Sequence, residues 1–205
     1  MISVGAGAVL LAGGRGSRMG GATKALLELD GSTLLRRAID AARGCHPITV
    51  AAGVLDPGLR EVDWVQEDPA YGGPAAGVVA VLADWARRGA DPTLTLILAC
   101  DLAAPDDIVA RLHECLSSLP ADAEGVCLED PSGRPQWLAG IYRTDALRRS
   151  AAALPDAGHN ASVRALLGGL VVTGCPAPAS DIIDIDTWED LITARASALR
   201  NQEET

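Results

Sequence analysis

Short apolar runs alternate with stretches of helical periodicity along nearly the whole chain, and this alternation restricts the fold more than any other feature. The run over residues 8–11 stops at Gly13-Gly14, as a buried parallel strand would. The run over 93–99, TLTLILA, is the strongest strand and ends at Cys100-Asp101. Further strands are expected over 48–52, 62–65, 125–128, 136–142 and 170–173. Helices are expected from a Ser32 or Thr33 cap to 43, where Gly44 stops the first, then over 75–87, 105–119, 144–154 and 162–167. A final amphipathic helix is expected over 187–199, with Thr187 as its cap and Asp190 at its third position. Such a pattern predicts an α/β fold of three layers, Rossmann-like, with a mostly parallel sheet and helices on both faces. In sheets of this kind ligands bind at the carboxyl ends of the strands. The loops after 8–11 and after 93–99 both lie there, so they can meet although they are distant in sequence.

The length of 205 residues suits one domain over 1–200, followed by a frayed tail over 201–205. Phe is absent and aromatics total 3%, so the core must be built from Leu, Val, Ile and Ala. Few aromatics and a net charge of -10 exclude a protein that coats a nucleic-acid backbone or stacks its bases. No run is long enough to span a membrane, and the first residues lack the basic start of a signal peptide. The five cysteines are odd in number and none has CxxC spacing. They are expected as reduced thiols, which points to a cytoplasmic protein without a zinc site.

The chemistry concentrates in one loop, LAGGRGSRMGGATK, from Leu11 to Lys24. Lys24 is the only lysine; every other basic residue is arginine. A lysine offers a compact, rotatable charge where an arginine offers a planar fork, so this position suits a tight phosphate site. Gly13, Gly14 and Gly16 let the backbone approach a ligand and turn N–H groups toward phosphate oxygens. Arg15, Arg18 and Lys24 can neutralise a triphosphate. The loop is not a Walker loop, since no GK[ST] closes it, and Met19 stands where a dinucleotide fingerprint needs its third glycine.

This loop resembles the signature of the molybdenum cofactor guanylyltransferase family, within the wider nucleotidyltransferases. The likeness continues in Glu67-Asp68 with Gly72-Gly73-Pro74-Ala75-Ala76-Gly77, in Leu98-Ala99-Cys100-Asp101, and in the closing Asp184-Ile185-Asp186-Thr187-Trp188-Glu189-Asp190-Leu191. The resemblance implies that Leu11, Ala12, Gly13 and Gly14 contact base and ribose. Lys24 would hold phosphate, Asp68 would lie near the nucleotide, Asp101 would bind Mg²⁺, and Asp186 would be a second carboxylate beside the metal. The catalytic set would then be Arg18, Lys24 and Asp101. The chain departs from the family pattern at Thr23, at Ala51 where an Asn of the base site is expected, and at Arg134-Pro135-Gln136-Trp137.

The implied reaction is GMP transfer from GTP to molybdopterin, with handoff to molybdoenzyme-maturation proteins as a further implication. A cytidylyl- or guanylyltransferase acting on another phosphorylated acceptor, such as molybdopterin with CTP, phospholactate or a sugar phosphate, is the enzymatic alternative. A non-catalytic nucleotide-binding protein on the same fold is the alternative from another class; Asp101 and Lys24 count against it. An attacking phosphate with a second pKa near ~6 is already ionised at neutral pH, so no general base is required. The residues then need only neutralise charge and align the reactants.

Overall fold

The computed structural model of the chain describes residues 5–14 and 22–203, and of 197–203 only the backbone. Arg15, Gly16, Arg18 and Met19 lie outside the described residues. The elements in chain order are β1 (Ala6–Leu11), β2 (Glu28–Leu29), β3 (Ser32–Thr33), α1 (Leu34–Ala41), β4 (Ile48–Ala51) and β5 (Asp63–Val65). They continue with α2 (Pro74–Arg88), β6 (Leu94–Ala99), α3 (Pro105–Leu116), β7 (Gly125–Glu129) and β8 (Pro135–Arg143). The last are α4 (Thr144–Ala152), α5 (Val163–Leu167), β9 (Val172–Pro176) and α6 (Trp188–Glu203).

Seven strands form one sheet in the order β5-β4-β1-β6-β8-β7-β9. β1 pairs in parallel with β4 and β6, and Leu11 stands level with Ala51 and Ala99, so three strand ends open onto one edge. β8 runs antiparallel to both β6 and β7, whereas β7 and β9 are parallel. The mostly parallel reading therefore holds, with β8 as the reversed strand. Local periodicity cannot report that reversal, because a buried strand looks the same in either direction.

Helices cover both faces. Leu35, Ala38 and Ile39 of α1 and Ile108 and Leu112 of α3 pack on one side with Leu10, Leu96 and Leu98 of the sheet. Val78, Val81 and Trp85 of α2, with Leu147 of α4 and Leu166 of α5, pack on the other with Val9 and Ile97. Trp85 is fully buried, as its helical spacing predicts, and its Nε1 donates to Thr49 Oγ1 at 2.8 Å. The ring needs the floor that Gly7 leaves open: a Cβ there would meet Trp85 at 2.6 Å and Pro92 at 2.9 Å.

Four sequence expectations need correction. Cys115 of α3 and Cys175 of β9 form a disulfide, while Cys45, Cys100 and Cys127 stay free and buried. Spacing in sequence carries no trace of this pair, because packing of α3 against β9 brings together residues 60 positions apart. α1 ends at Ala41 with Ala42 as its cap, two residues before Gly44, which does not take a left-handed conformation. α6 runs on to Glu203, past the end expected at 199. The strand expected over 170–173 begins later, at Val172, and reaches Pro176.

Candidate active site

Lys24 starts a single 3-10 turn, Lys24–Leu26, whose Ala25 is buried in the core. The chain then enters a hairpin in which Asp30 and Gly31 both have positive φ, 54° and 75°. Such a two-residue turn favours Asp-Gly, and that pair between Glu28-Leu29 and Ser32-Thr33 is its local signal in the sequence. Thr33 then caps α1 as expected, its Oγ1 accepting from Arg36 N at 3.1 Å.

A second segment comes from the far end of the chain. Residues 183–185 lie antiparallel along 101–103, with Ile185 N donating to Asp101 O at 2.8 Å and Ala103 N to Ile183 O at 2.9 Å. Asp184 pairs with Leu102 in this short bridge. Ile185 is fully buried with Leu29, Leu34, Leu191 and Ala194, which fastens the segment to the hairpin and to α6. Arg195 of α6 reinforces the contact by donating to Glu28 O at 2.7 Å. Thr187 and Asp190 form the reciprocal cap that their spacing predicts: Asp190 N donates to Thr187 Oγ1 at 3.2 Å, and Thr187 N to Asp190 Oδ2 at 2.7 Å. Asp186 N also donates to Asp190 Oδ2, at 3.1 Å, so the cap sets where Asp186 stands. From the other side, Arg37 of α1 donates to Ala103 O at 3.1 Å and steadies the loop after β6.

These pieces meet around one cation. Lys24 Nζ is hydrogen-bonded to Asp186 Oδ1 and lies 3.5 Å from Asp101 Oδ2. Burial works to lower the Lys24 pKa, but the Asp186 hydrogen bond and the charges of Asp101 and Asp186 outweigh it and leave it raised. Asp184 joins the group as an unpredicted member. Its surroundings push its carboxyl up to about 6, by burial first, then by the charges of Asp101 and Asp186. The residue as a whole is exposed, so solvent screens part of this effect. Asp184 stands within the closing motif, but nothing local in the sequence shows that it faces Asp101.

Two clefts flank the cluster. The first, of about 440 Å³, is lined by Leu11, Ala12, Gly13 and Gly14 on one wall and by Ala51, Glu67 and Tyr71 among others opposite. Thr23, next to Lys24, also lines it. A Cβ on Gly14 would meet nothing within 4 Å, so the open space beside this glycine is cleft rather than packing. Asp68 is exposed and does not line this cleft; its neighbour Glu67 does, with Oε1 accepting from Gly72 N at 3.1 Å. Gly77 of α2 packs close beneath, where a Cβ would touch Ala51 and Leu11 at 3.3 Å each. The second cleft, of about 640 Å³, is bordered by Asp101 and Asp184 at one side and by Arg134, Gln136, Trp137 and Arg164.

The donor set suits a hard divalent cation. Mg²⁺ takes one or two carboxylates and fills its remaining positions with phosphate oxygens and water. Asp101 and Asp186 supply two carboxylates at one point, where both meet Lys24. Among the described residues no three His, Cys, Asp or Glu side chains form a ready-made cage. A site completed by substrate oxygens is what such a set can offer. Cys100, beside Asp101, is no nucleophile: burial first and the Asp101 charge second push its thiol well up.

Comparison with known proteins agrees with this geometry. Residues 8–170 match the family model described as the MobA-like NTP transferase domain. A molybdenum cofactor guanylyltransferase of Rhodopseudomonas palustris (strain HaA2) is 34% identical over 206 residues, covering 94% of this chain and 92% of that one. A solved structure of molybdopterin-guanine dinucleotide biosynthesis protein A from Archaeoglobus fulgidus shares the fold with a TM-score of 0.66 at 16% identity, over 94% of this chain and 98% of that one. A Mycobacterium tuberculosis H37Rv protein solved in complex with manganese shares it with a TM-score of 0.62 at 23% identity, over 94% and 98%. A glycine loop beside a cleft, a lysine set among aspartates at the sheet edge and a match over most of its length make this chain a nucleotidyltransferase that belongs to the MobA-like NTP transferase family.

Proposed function

We propose that the chain transfers GMP from GTP to molybdopterin, with Mg²⁺ and with release of pyrophosphate. The observation that carries this reading is Lys24 standing against Asp101 and Asp186 between the two clefts. The names borne by its relatives supply guanine and molybdopterin. In this reading one domain over 1–200 holds the nucleotide with its N-terminal half and the acceptor with its C-terminal half. Leu11 to Gly14 line the base and ribose site, and Glu67 takes the place expected for Asp68 on its wall. Arg18 belongs to the same loop and would add charge at the phosphates.

An acceptor phosphate oxygen attacks the α-phosphorus of GTP; the new P–O bond forms as the bond to the β-phosphate oxygen breaks, and pyrophosphate leaves with that electron pair. Asp101 and Asp186 would hold Mg²⁺, which when bound neutralises phosphate charge and aligns the reacting oxygens. With Asp101 and Asp186 committed to the metal, Lys24 would offer its ammonium to a phosphate oxygen. Backbone N–H groups of Gly13 and Gly14 would orient the nucleotide, and the buried end of β6 with Cys100 after it holds Asp101 in place. A cytoplasmic location fits this reading, since GTP is made there and Cys115 and Cys175 would be reduced there. The product would pass to molybdoenzyme-maturation proteins.

Thermal shifts with GTP, CTP, ATP and UTP, each with and without Mg²⁺, test the donor. A ligand at 100 times its Kd adds about 2.7 kcal/mol of apparent stability. A Mg²⁺-dependent shift with GTP alone supports the reading, to be followed by turnover with molybdopterin. A preference for CTP makes the chain a cytidylyltransferase, and no shift with any nucleotide overturns the site.

A further inference from the structure

Among the described side chains most arginines are answered within the chain, seven by carboxylates and three by backbone carbonyls. Among the described side chains, every guanidinium makes an ion pair or a hydrogen bond except those of Arg60, Arg134 and Arg164. Arg60 lies on an exposed loop and lines neither cleft of the active site. Arg134 and Arg164 both line the larger cleft. With a net charge of -10, a chain has carboxylates to spare for each arginine. Two charges left unanswered on the same cleft point to an anion that arrives from outside.

The turn that presents Arg134 is held stiffly. Asp130 accepts from Ser132 Oγ at 2.5 Å, from Ser132 N at 2.9 Å and from Arg134 N at 3.0 Å, and its other oxygen accepts from Gln136 Nε2 at 3.2 Å. Those bonds, the Ser132 hydroxyl first, hold the Asp130 carboxyl below its usual range. Asp130 is thereby committed to the turn, which leaves the guanidinium of Arg134 unpaired at the cleft. Arg164 approaches from α5, a separate element on the same rim. Trp137, half-buried and next along β8, adds an apolar wall between polar ends.

We propose that Arg134 and Arg164 form an anion subsite that binds a second negatively charged group of the acceptor, apart from the phosphate that attacks. Asp101, the ion-pair partner of Lys24, borders the cleft at its reacting end and these two arginines line its rim, so the cleft selects acceptors charged at both ends. The proposal rests on the transferase reading for the identity of that acceptor, but the subsite itself can be read without turnover. Asp130 acts through Arg134 as a positioning residue.

The test uses the full chain with two readouts. Inorganic phosphate is titrated against saturating GTP at constant ionic strength, with melting temperature as the signal. The wild type should show a saturable rise that Arg134→Gln, Arg164→Gln and their combination remove, while Arg60→Gln keeps it. In turnover with GTP and molybdopterin, each Arg→Gln change in the cleft should raise the acceptor KM at least tenfold and leave the GTP KM within twofold. A phosphate effect absent from the wild type, or equal in the double variant, overturns the subsite. So does an acceptor KM that moves less than twofold. A wild type without turnover that still shows the arginine-dependent phosphate shift would sink the transferase reading and leave the subsite standing. Both arginines are exposed, and a preserved GTP shift in each variant confirms that it is folded.

Discussion

At the scale of the residue, the candidate site gathers one lysine and three aspartates that chain order separates widely. Lys24→Met is expected to lower kcat/KM by about 100- to 1000-fold, the usual loss when one group that stabilises developing charge is removed. Lys24→Arg should recover little of it, because a fork cannot take the place of a point charge in a gap set by Asp101 and Asp186. Steady-state kinetics on both variants, with melting curves beside them, check this. Asp184 has a pH signature. Its folded pKa of about 6 lies above the ordinary 3.8, so the folded state holds a proton that the unfolded chain has already lost. Stability from this group therefore falls as pH rises from about 4 to about 6 and is level above that. In EDTA, Asp184→Asn should gain in melting temperature over the wild type more at pH 7 than at pH 4. An equal difference at both pH values would show that the carboxyl ionises normally. The glycine loop and Asp101 were legible in the sequence because a loop after a strong strand is a local signal. Asp184 and Glu67 were not, because which of two adjacent acids faces a cleft is decided by strand and turn geometry.

At the scale of the element, the acidic segment after β9 is fixed to α3 twice. Cys115 and Cys175 are joined, and Arg111 donates to Asp181 Oδ2 from Nε at 3.0 Å and from Nη2 at 2.8 Å. Chain entropy alone assigns a cross-link over 60 residues about 4 kcal/mol. Reduction, or Cys115→Ser with Cys175→Ser, should lower the denaturation free energy by up to that amount in urea titrations of the purified, oxidised chain. Activity in the reduced form should persist, since Arg111–Asp181 and the Ile185 packing still hold the segment to Asp101. Helix caps were the most legible element boundaries: Thr33, Ser162 and Thr187 each announced a start with a side chain that accepts an early N–H. Ends were less legible, as Gly44 and the last turn of α6 show, because packing and solvent decide where a helix stops.

At the scale of the whole molecule, two clefts open on the same edge of the sheet with the charged cluster between them. No activated side-chain nucleophile stands among the described residues of the cluster; Cys100 is buried and its thiol is held protonated. Donor and acceptor should therefore occupy the chain together and react directly. Initial-rate plots against both substrates should intersect, and parallel lines would indicate a covalent nucleotidyl intermediate that this geometry does not provide for. Among the described residues no helix is long and apolar enough to cross a membrane.

The order of strands and helices, the sheet edge on which the clefts open and the glycines that follow β1 all follow from local patterns of two kinds: apolar periodicity, and residues with special backbone or charge. These act within a few positions, so the sequence determined them by itself. The reversal of β8, the bridge of 183–185 against 101–103, the Cys115–Cys175 pair and the closure of Lys24 on Asp186 were decided by tertiary structure. Each joins residues that only packing brings together; Lys24 and Asp186 lie 162 positions apart. Their contact forms because the hairpin, α1 and α6 bury one small apolar cluster around Ile185, a choice that no single segment encodes.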